Sequence, residues 1–272
     1  MSNRNNQAKK RAARERLRAE RERQAKKDKI RRQLIVGGAI VGALAIVGGI
    51  GVSVATMGGD DAKVPTGPLV KPANTSGAKG TTIVVGKKDA KNTLDFFEDP
   101  RCTFCAAFEQ TVGATVEKDI KDGKYKASYH LGTFLDGNLQ GTGSKNALSA
   151  LGAALNVSPD AFLKYKYALY SKEFHPDERG PDKFADDSYL IKVANTIPAL
   201  KGNAAFQKAV KSTTYDRWAL EVSNAFNSDE DGKTTPTIRL NGTVLGPDTL
   251  QGEDAPFSVA AFNSAVDKEL KK

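Results

Sequence analysis

The chain has 272 residues and a formal charge of +9, from 41 Lys and Arg residues against 32 Asp and Glu residues. Residues 1–33 hold 14 of the basic and 4 of the acidic residues, which leaves 27 basic and 28 acidic residues elsewhere, a net charge of −1. The basic character belongs to one end, so the charge gives no support to nucleic-acid binding by the chain as a whole.

Residues 34–59 contain no charged residue over 26 positions. Because about 20 apolar residues span a bilayer as a helix, this stretch predicts a single transmembrane helix. Its basic flank lies on the N-terminal side, which predicts a cytoplasmic segment 1–33 that contacts anionic lipid, with everything after the helix outside the cell membrane. A cleaved signal peptide is the alternative, with a small-residue site at Ser53-Val54-Ala55, although signal sequences usually have a shorter apolar region of about 7–15 residues.

Residues 60–80 are rich in Pro, Gly, Ser, Thr and Asn and have no apolar period, which predicts a flexible linker. Residues 81–272 are numerous enough for one folded domain. Apolar runs at 81–85 and 94–98 predict two strands, and the alternation of 125–135 predicts a third.

Helical periodicity begins at the cysteines and continues to residue 122, where Asp-Gly ends the helix. After the third predicted strand, a block of helices is expected at about 140–230. The β pattern then returns at 235–245 around an Asn-Gly hairpin turn, and a final helix is expected at 256–270. This order of elements predicts an α/β domain with a helical insertion.

Cys102 and Cys105 are the two cysteines of the chain, and they form a Cys-x-x-Cys motif where a strand runs into a helix. A helix N-terminus has free N–H groups and the positive end of the dipole, which favour a thiolate over a thiol. The motif therefore predicts a redox pair that bonds either internally or to a substrate.

These residues resemble the thioredoxin superfamily and, within it, the DsbA-like disulfide oxidoreductases. The resemblance is carried by LDFFEDPRCTFCAAFE (94–109), by the helical insertion and by TTPTIRLNG (234–242), and it covers about 81–272. It implies a thioredoxin-like α/β fold with a helical insertion, preceded here by one transmembrane helix. The anchored form is similar to actinobacterial cell-envelope proteins.

The resemblance also implies roles for particular residues. Cys102 is expected to be the exposed nucleophile and Cys105 the more buried resolving thiol. Pro236 is expected to be a cis-proline opposite the redox pair, and Thr235 to offer backbone hydrogen bonds to an extended substrate. The implied partners are thiol-containing exported proteins and a quinone-linked membrane redox partner, with no cofactor, metal or nucleic acid.

The sequence departs from the family pattern in two places, at Phe96 and at the Thr103-Phe104 dipeptide. Phe96 stands where the family often has a buried acid, so we expect Glu98 or water to transfer the proton to Cys105. Thr103-Phe104 stand between the cysteines, where strongly oxidising members have Pro-His. The charge of Arg101 is expected to replace part of the positive charge that the histidine supplies in those members. Arg101, Thr103, Phe104 and Glu98 are therefore expected to tune the reduction potential of the cysteine pair.

The function expected from these residues is oxidation of cysteine pairs in exported proteins by a membrane-anchored thiol:disulfide oxidoreductase. A reductase or isomerase remains an alternative, because the same steps can run backward. An alternative of another class is a non-catalytic module that binds peptides or acts as a chaperone. A purely structural disulfide would close a very short loop and stabilise little. A zinc site with His130 and His175 would lack finger-like spacing.

Overall fold

The computed structural model describes residues 68–229, 234–246 and 258–272. The predicted basic segment 1–33 and the predicted transmembrane helix 34–59 lie outside these residues. Within the described ranges, no helix combines the length and the apolar character needed to cross a membrane.

The centre of the domain is a five-stranded mixed sheet in the order β1-β3-β2-β4-β5. Strands β2 and β3 are parallel, and the other neighbouring pairs are antiparallel. A parallel pair needs a crossover connection, which helix α1 (Thr103–Asp122) supplies between β2 and β3. The strands are β1 Ile83–Val85, β2 Thr93–Glu98, β3 Lys126–Leu131, β4 Thr237–Leu240 and β5 Thr243–Val244.

Helices make up most of the rest of the described domain. Most of them lie between β3 and β4, where the helical insertion was predicted. Tyr165, Phe162 and Trp218 are among the largest fully buried side chains, so the insertion shares its core with the sheet. The helices are α1 Thr103–Asp122, α2 Phe134–Leu139, α3 Gly143–Val157, α4 Pro159–Tyr170, a 3-10 turn Lys183–Ala185, α5 Asp187–Ala194, α6 Ala204–Lys211, α7 Asp216–Asn227 and α8 Val259–Glu269.

Helix α1 carries the redox motif at its start. Its apolar residues at four-residue steps from Phe108 to Ile120 are buried against the core. Cys102 is the N-cap with extended backbone angles, and Gly123 ends the helix with a φ of 81°, a left-handed conformation that glycine adopts readily. Both ends of the helix are therefore encoded locally.

The third strand is shorter than the alternation predicted, and this correction has a tertiary cause. β3 ends at Leu131, and the chain turns at Gly132 into α2. A Cβ on Gly132 would lie 2.7 Å from the Phe226 ring, so helix α7 packs directly on this turn. Thr133 also donates its backbone N–H to Ser223 Oγ at 3.1 Å. These contacts with α7 override the local β pattern.

The described part of the predicted linker, residues 68–80, contacts the domain instead of standing free of it. Asn74 donates its side-chain amide to the Leu155 carbonyl at 2.7 Å, near the end of α3. The indole of the buried Trp218 donates to the Gly80 carbonyl at 2.7 Å. The composition suggested a linker, but these partners come from distant helices, so local composition did not reveal the contact.

Substitution of Gly152, inside α3, is expected to destabilise the domain because the glycine is closely packed. A Cβ at this position would lie 2.6 Å from the Trp218 ring. Although alanine favours a helix over glycine by up to about 1 kcal/mol, we expect Gly152→Ala to lower the free energy of unfolding by about 1–3 kcal/mol. Urea denaturation measures the change.

Gly137, inside α2, is the matched control for that substitution. A Cβ there would meet no atom within 4 Å. Gly137→Ala is therefore expected to be neutral or slightly stabilising. Equal destabilisation by the two substitutions would contradict the packing argument.

Candidate active site

Cys102 and Cys105 lie together at the start of α1 as free thiols, and both are buried. Cys102 Sγ accepts a hydrogen bond from the Cys105 backbone N–H at 3.3 Å, which makes it the side-chain cap of the helix. Cys102 is 4% exposed and Cys105 is 0% exposed. Cys102 is therefore only slightly more accessible than Cys105, and it is buried instead of exposed as the family resemblance implied.

The loop before β4 brings Thr235 onto Cys102. The Thr235–Pro236 peptide bond is cis, the geometry that the family resemblance implied. Thr235 Oγ1 donates to Cys102 Sγ at 3.4 Å, and its carbonyl oxygen lies 3.6 Å from the same sulfur. The sequence placed these residues 133 positions apart, and the fold joins them at one sulfur.

The two thiols have opposite electrostatic environments. A hydrogen bond from the Cys105 side chain lowers the pKa of Cys102, with further lowering by Thr235, against opposition from burial. Burial raises the pKa of Cys105 well above its usual value, and Cys102 adds to the rise. Since the thiolate is the nucleophile in disulfide exchange, Cys102 is the sulfur prepared to attack or be attacked.

Glu98 belongs to a buried charge cluster behind the motif. Lys166 Nζ lies 3.0 Å from Glu98 Oε2 and 2.8 Å from Glu109 Oε2, and the lysine is 1% exposed. Burial raises the pKa of Glu98 to about 7, and the attraction of Lys166 opposes the rise. Glu98 also raises the pKa of Cys105, so the carboxylate and the thiol interact electrostatically.

Neither Lys166 nor Glu109 was predicted from the sequence to belong to the site. Glu109 lies on α1 two helical turns after Cys102, a spacing that places it on the same side of the helix. Lys166 lies within the helical insertion and has apolar and aromatic neighbours in the sequence. A lysine at a buried helix position is the signal that could have suggested an internal ion pair.

Asp99 organises the loop that leads into the motif. Its carboxylate accepts hydrogen bonds from Ser144 Oγ at 2.6 Å, from the Arg101 N–H at 2.9 Å and from the Leu135 N–H at 3.1 Å. Burial raises the pKa of Asp99 to about 6, although these donors favour the charged form. The loop is therefore attached to the beginnings of α2 and α3.

Two aromatic side chains of the insertion hold the backbone of the same loop. The Tyr170 hydroxyl donates to the Asp99 carbonyl at 3.1 Å. His175 Nε2 lies 3.2 Å from the Pro100 carbonyl, which can only accept, so the tautomer protonated at Nε2 makes this hydrogen bond. Burial lowers the pKa of His175 to about 4, which keeps the ring neutral at neutral pH. From the sequence, His175 was considered only as a candidate zinc ligand and was not connected with the motif.

Arg101 does not have the environment that the sequence led us to expect. Its guanidinium is 4% exposed and lies 3.1 Å from Asp136 and 3.5 Å from Asp182. Asp136 and Asp182 also accept backbone N–H groups at the start of α3. Two carboxylates thus compensate the Arg101 charge that was expected to act on Cys102. Through these carboxylates, Arg101 connects the motif loop to the start of α3.

Thr103 and Phe104 lie on the exposed side of the motif, and Phe104 is 43% exposed. The Thr103 backbone N–H donates to Glu178 Oε2 at 3.2 Å, from a loop that the sequence analysis had not connected with the motif. Across the described ranges, no group of three or more His, Cys, Asp or Glu side chains is placed to hold a metal ion.

The chain is similar to one known protein family and to several individual proteins. A family model described as Thioredoxin matches residues 78–268. The serine/threonine-protein kinase PknE of Mycobacterium tuberculosis is 28% identical over 122 residues, which is 43% of this chain and 21% of the kinase. The chain therefore spans about a fifth of the length of that relative. Disulfide bond formation protein D of Bacillus subtilis is 26% identical over 163 residues, 60% of this chain and 68% of that protein.

Solved structures with this fold include DsbA of Mycobacterium tuberculosis in its oxidised form. It is 25% identical, with a TM-score of 0.56, over 70% of this chain and 93% of that chain. The residues that the family model matches, 78–268, contain the sheet, the motif-bearing helix and the helical insertion.

Proposed function

This chain belongs to the thioredoxin family and is DsbA-like, and we infer that it is a thiol:disulfide oxidoreductase with Cys102 and Cys105 as its redox pair. One observation carries the inference. Cys102 Sγ, with a lowered pKa, caps α1 beside both the buried Cys105 and Thr235. A structural disulfide would require none of these arrangements around one sulfur.

The exchange follows from this geometry. A substrate thiolate attacks Cys102 Sγ of the oxidised pair, the Cys102–Cys105 bond breaks, and its electron pair goes to Cys105 as a thiolate. Because the pKa of Cys105 is raised, this sulfur takes up a proton, and Glu98, with a pKa of about 7, is the buried acid able to supply it. A second substrate thiolate then attacks the substrate sulfur of the mixed disulfide and releases Cys102 as a thiolate.

We propose that the reaction runs mainly toward oxidation of the substrate. A dithiol form with a stabilised thiolate lowers the free energy of the reduced protein, which makes the disulfide form the stronger oxidant. The lowered pKa of Cys102 supports this direction, as does the name of the Bacillus subtilis relative, a disulfide bond formation protein. Reduction or isomerisation remains the alternative direction of the same exchange.

We further propose that residues 34–59 anchor the protein and hold the catalytic domain outside the cytoplasm. The uncharged stretch and its one-sided basic flank support this placement. Its substrates would then be exported proteins with free thiols, in a compartment that permits disulfides. A quinone-linked membrane partner would accept the electrons and restore the Cys102–Cys105 disulfide.

The reduction potential of the Cys102–Cys105 pair tests the proposed direction. The full chain is equilibrated in detergent with glutathione buffers, and the dithiol fraction is measured by alkylation. A value near or above about −180 mV is expected for a thiol oxidase, whereas one near or below about −270 mV would indicate a reductant. Cys102→Ser, which cannot form the pair, supplies the baseline.

A further inference from the structure

A carboxylate from the helical insertion lies at the same helix end as the nucleophile. Glu178, in the loop between α4 and the 3-10 turn, accepts the Thr103 backbone N–H at 3.2 Å. Thr103 is the first residue of α1 and is covalently attached to Cys102. At the same end, Cys102 Sγ accepts the Cys105 N–H at 3.3 Å. Two acceptors that can carry negative charge therefore share one helix N-terminus.

The charge on Glu178 opposes a charge on Cys102. The N-terminus of a helix stabilises an anion through its free N–H groups and its dipole. A second anion at the same end occupies one of these donors and repels the first, because like charges nearby disfavour the charged form. Formation of a thiolate at Cys102 is therefore less favourable when Glu178 is ionised.

The described residues on either side of Glu178 in the chain carry no net charge that would cancel its own. His175 lies close enough to interact with it electrostatically, but burial lowers the pKa of His175 to about 4 and leaves the ring neutral at neutral pH. Asp177 and Arg179 flank it in the chain, are exposed and carry opposite charges. Near Cys102 itself, Asp99 disfavours the thiolate, while Arg101 is balanced by Asp136 and Asp182.

We propose that Glu178 is a redox-tuning residue, whose carboxylate on the Thr103 N–H disfavours the Cys102 thiolate and moderates the oxidising strength of the pair. The proposal rests on the proposed function. In the relevant equilibrium, the disulfide and two glutathione molecules give the dithiol and one glutathione disulfide. Two electrons pass from the glutathione thiols to the Cys102–Cys105 bond. Glu178 contacts the motif at the Thr103 N–H and so acts on Cys102 through the helix end.

The test compares the full chain with its Glu178→Gln variant in glutathione buffers at low ionic strength. Loss of the charge is expected to raise the equilibrium constant for reduction by about two- to fivefold, which corresponds to a potential about 9–21 mV more oxidising. The Cys102 thiolate absorbance, followed against pH, is expected to shift to lower pH. Glu178→Ala should reproduce both changes, since it also removes the charge.

Glu173→Gln is the matched control, because it removes a negative charge from the same connecting segment. Glu173 lies near Tyr189, whose pKa is raised by burial and further by the Glu173 charge. It should leave the equilibrium constant unchanged. If the wild-type pair equilibrates but Glu178→Gln and Glu178→Ala do not shift it, or Glu173→Gln shifts it equally, the tuning role is overturned while the proposed function stands. If the wild-type pair does not equilibrate with glutathione, the proposed function fails and the tuning role falls with it.

Discussion

Replacing Cys105 with Ala is expected to leave substrate proteins covalently attached to Cys102. Replacing Cys102 with Ser is expected to reduce disulfide exchange to the uncatalysed rate. The first variant keeps the sulfur that caps α1, whose thiolate attacks a substrate disulfide and expels one substrate thiolate, but it lacks the Cys105 thiol that would resolve the mixed disulfide. The second lacks the sulfur whose pKa is lowered. Nonreducing electrophoresis and mass spectrometry of the trapped species measure the first effect, and oxidation of a reduced test protein measures the second.

Cys102→Ala is the control for the assignment of these roles. Cys105 is 0% exposed and its pKa is raised, so this variant should accumulate few mixed disulfides. Abundant substrates attached to Cys105 would reverse the roles of the two cysteines. Full function of Cys102→Ser in cells would instead favour the non-catalytic, peptide-binding alternative.

Removing the buried lysine is expected to have the largest effect on stability. Lys166 compensates two carboxylates, Glu98 and Glu109, at a position where it is 1% exposed. Breaking a buried ion pair on one side leaves a charge without compensation, which costs about 3–5 kcal/mol. We therefore expect Lys166→Met to lower the free energy of unfolding by about that amount at neutral pH, measured by urea denaturation.

The loss should depend on pH in a defined direction. The pKa of Glu98 is about 7 in the folded protein against 4.5 as its ordinary value, so the folded state holds the proton more tightly. Its contribution to stability is present below pH 4.5 and is lost as the pH rises toward 7. Without Lys166 the pKa of Glu98 rises further, so the deficit of Lys166→Met should be smallest in acid and grow with pH.

A triple variant supplies the control for Lys166→Met. Changing Glu98 and Glu109 to Gln in the same protein removes the carboxylate charges that Lys166 compensates. Much of the lost stability should return, and the pH dependence should flatten, because no carboxylate remains to ionise there. A single Lys166→Met variant that keeps wild-type stability across neutral pH would contradict the importance of this ion cluster.

The redox motif was predictable because its signals are local. Cys102 and Cys105 follow a strand, and Cys102 caps a helix whose apolar residues recur at four-residue steps and which Gly123 ends. The hairpin after β4 is equally local, since Asn241-Gly242 joins β4 directly to β5. Periodicity, caps and turns depend on neighbouring residues, so the sequence by itself determined the element types around the motif.

The surroundings of the two sulfurs were decided only by the tertiary structure. Lys166 reaches Glu98 from the helical insertion, Glu178 reaches the Thr103 N–H from a loop, and Arg101 turns toward Asp136 instead of Cys102. Each contact joins residues that are distant in the chain, and its formation depends on how the insertion packs on the sheet. Packing depends on the shape and volume of many side chains at once, so no local pattern could have assigned these partners or the pKa values they produce.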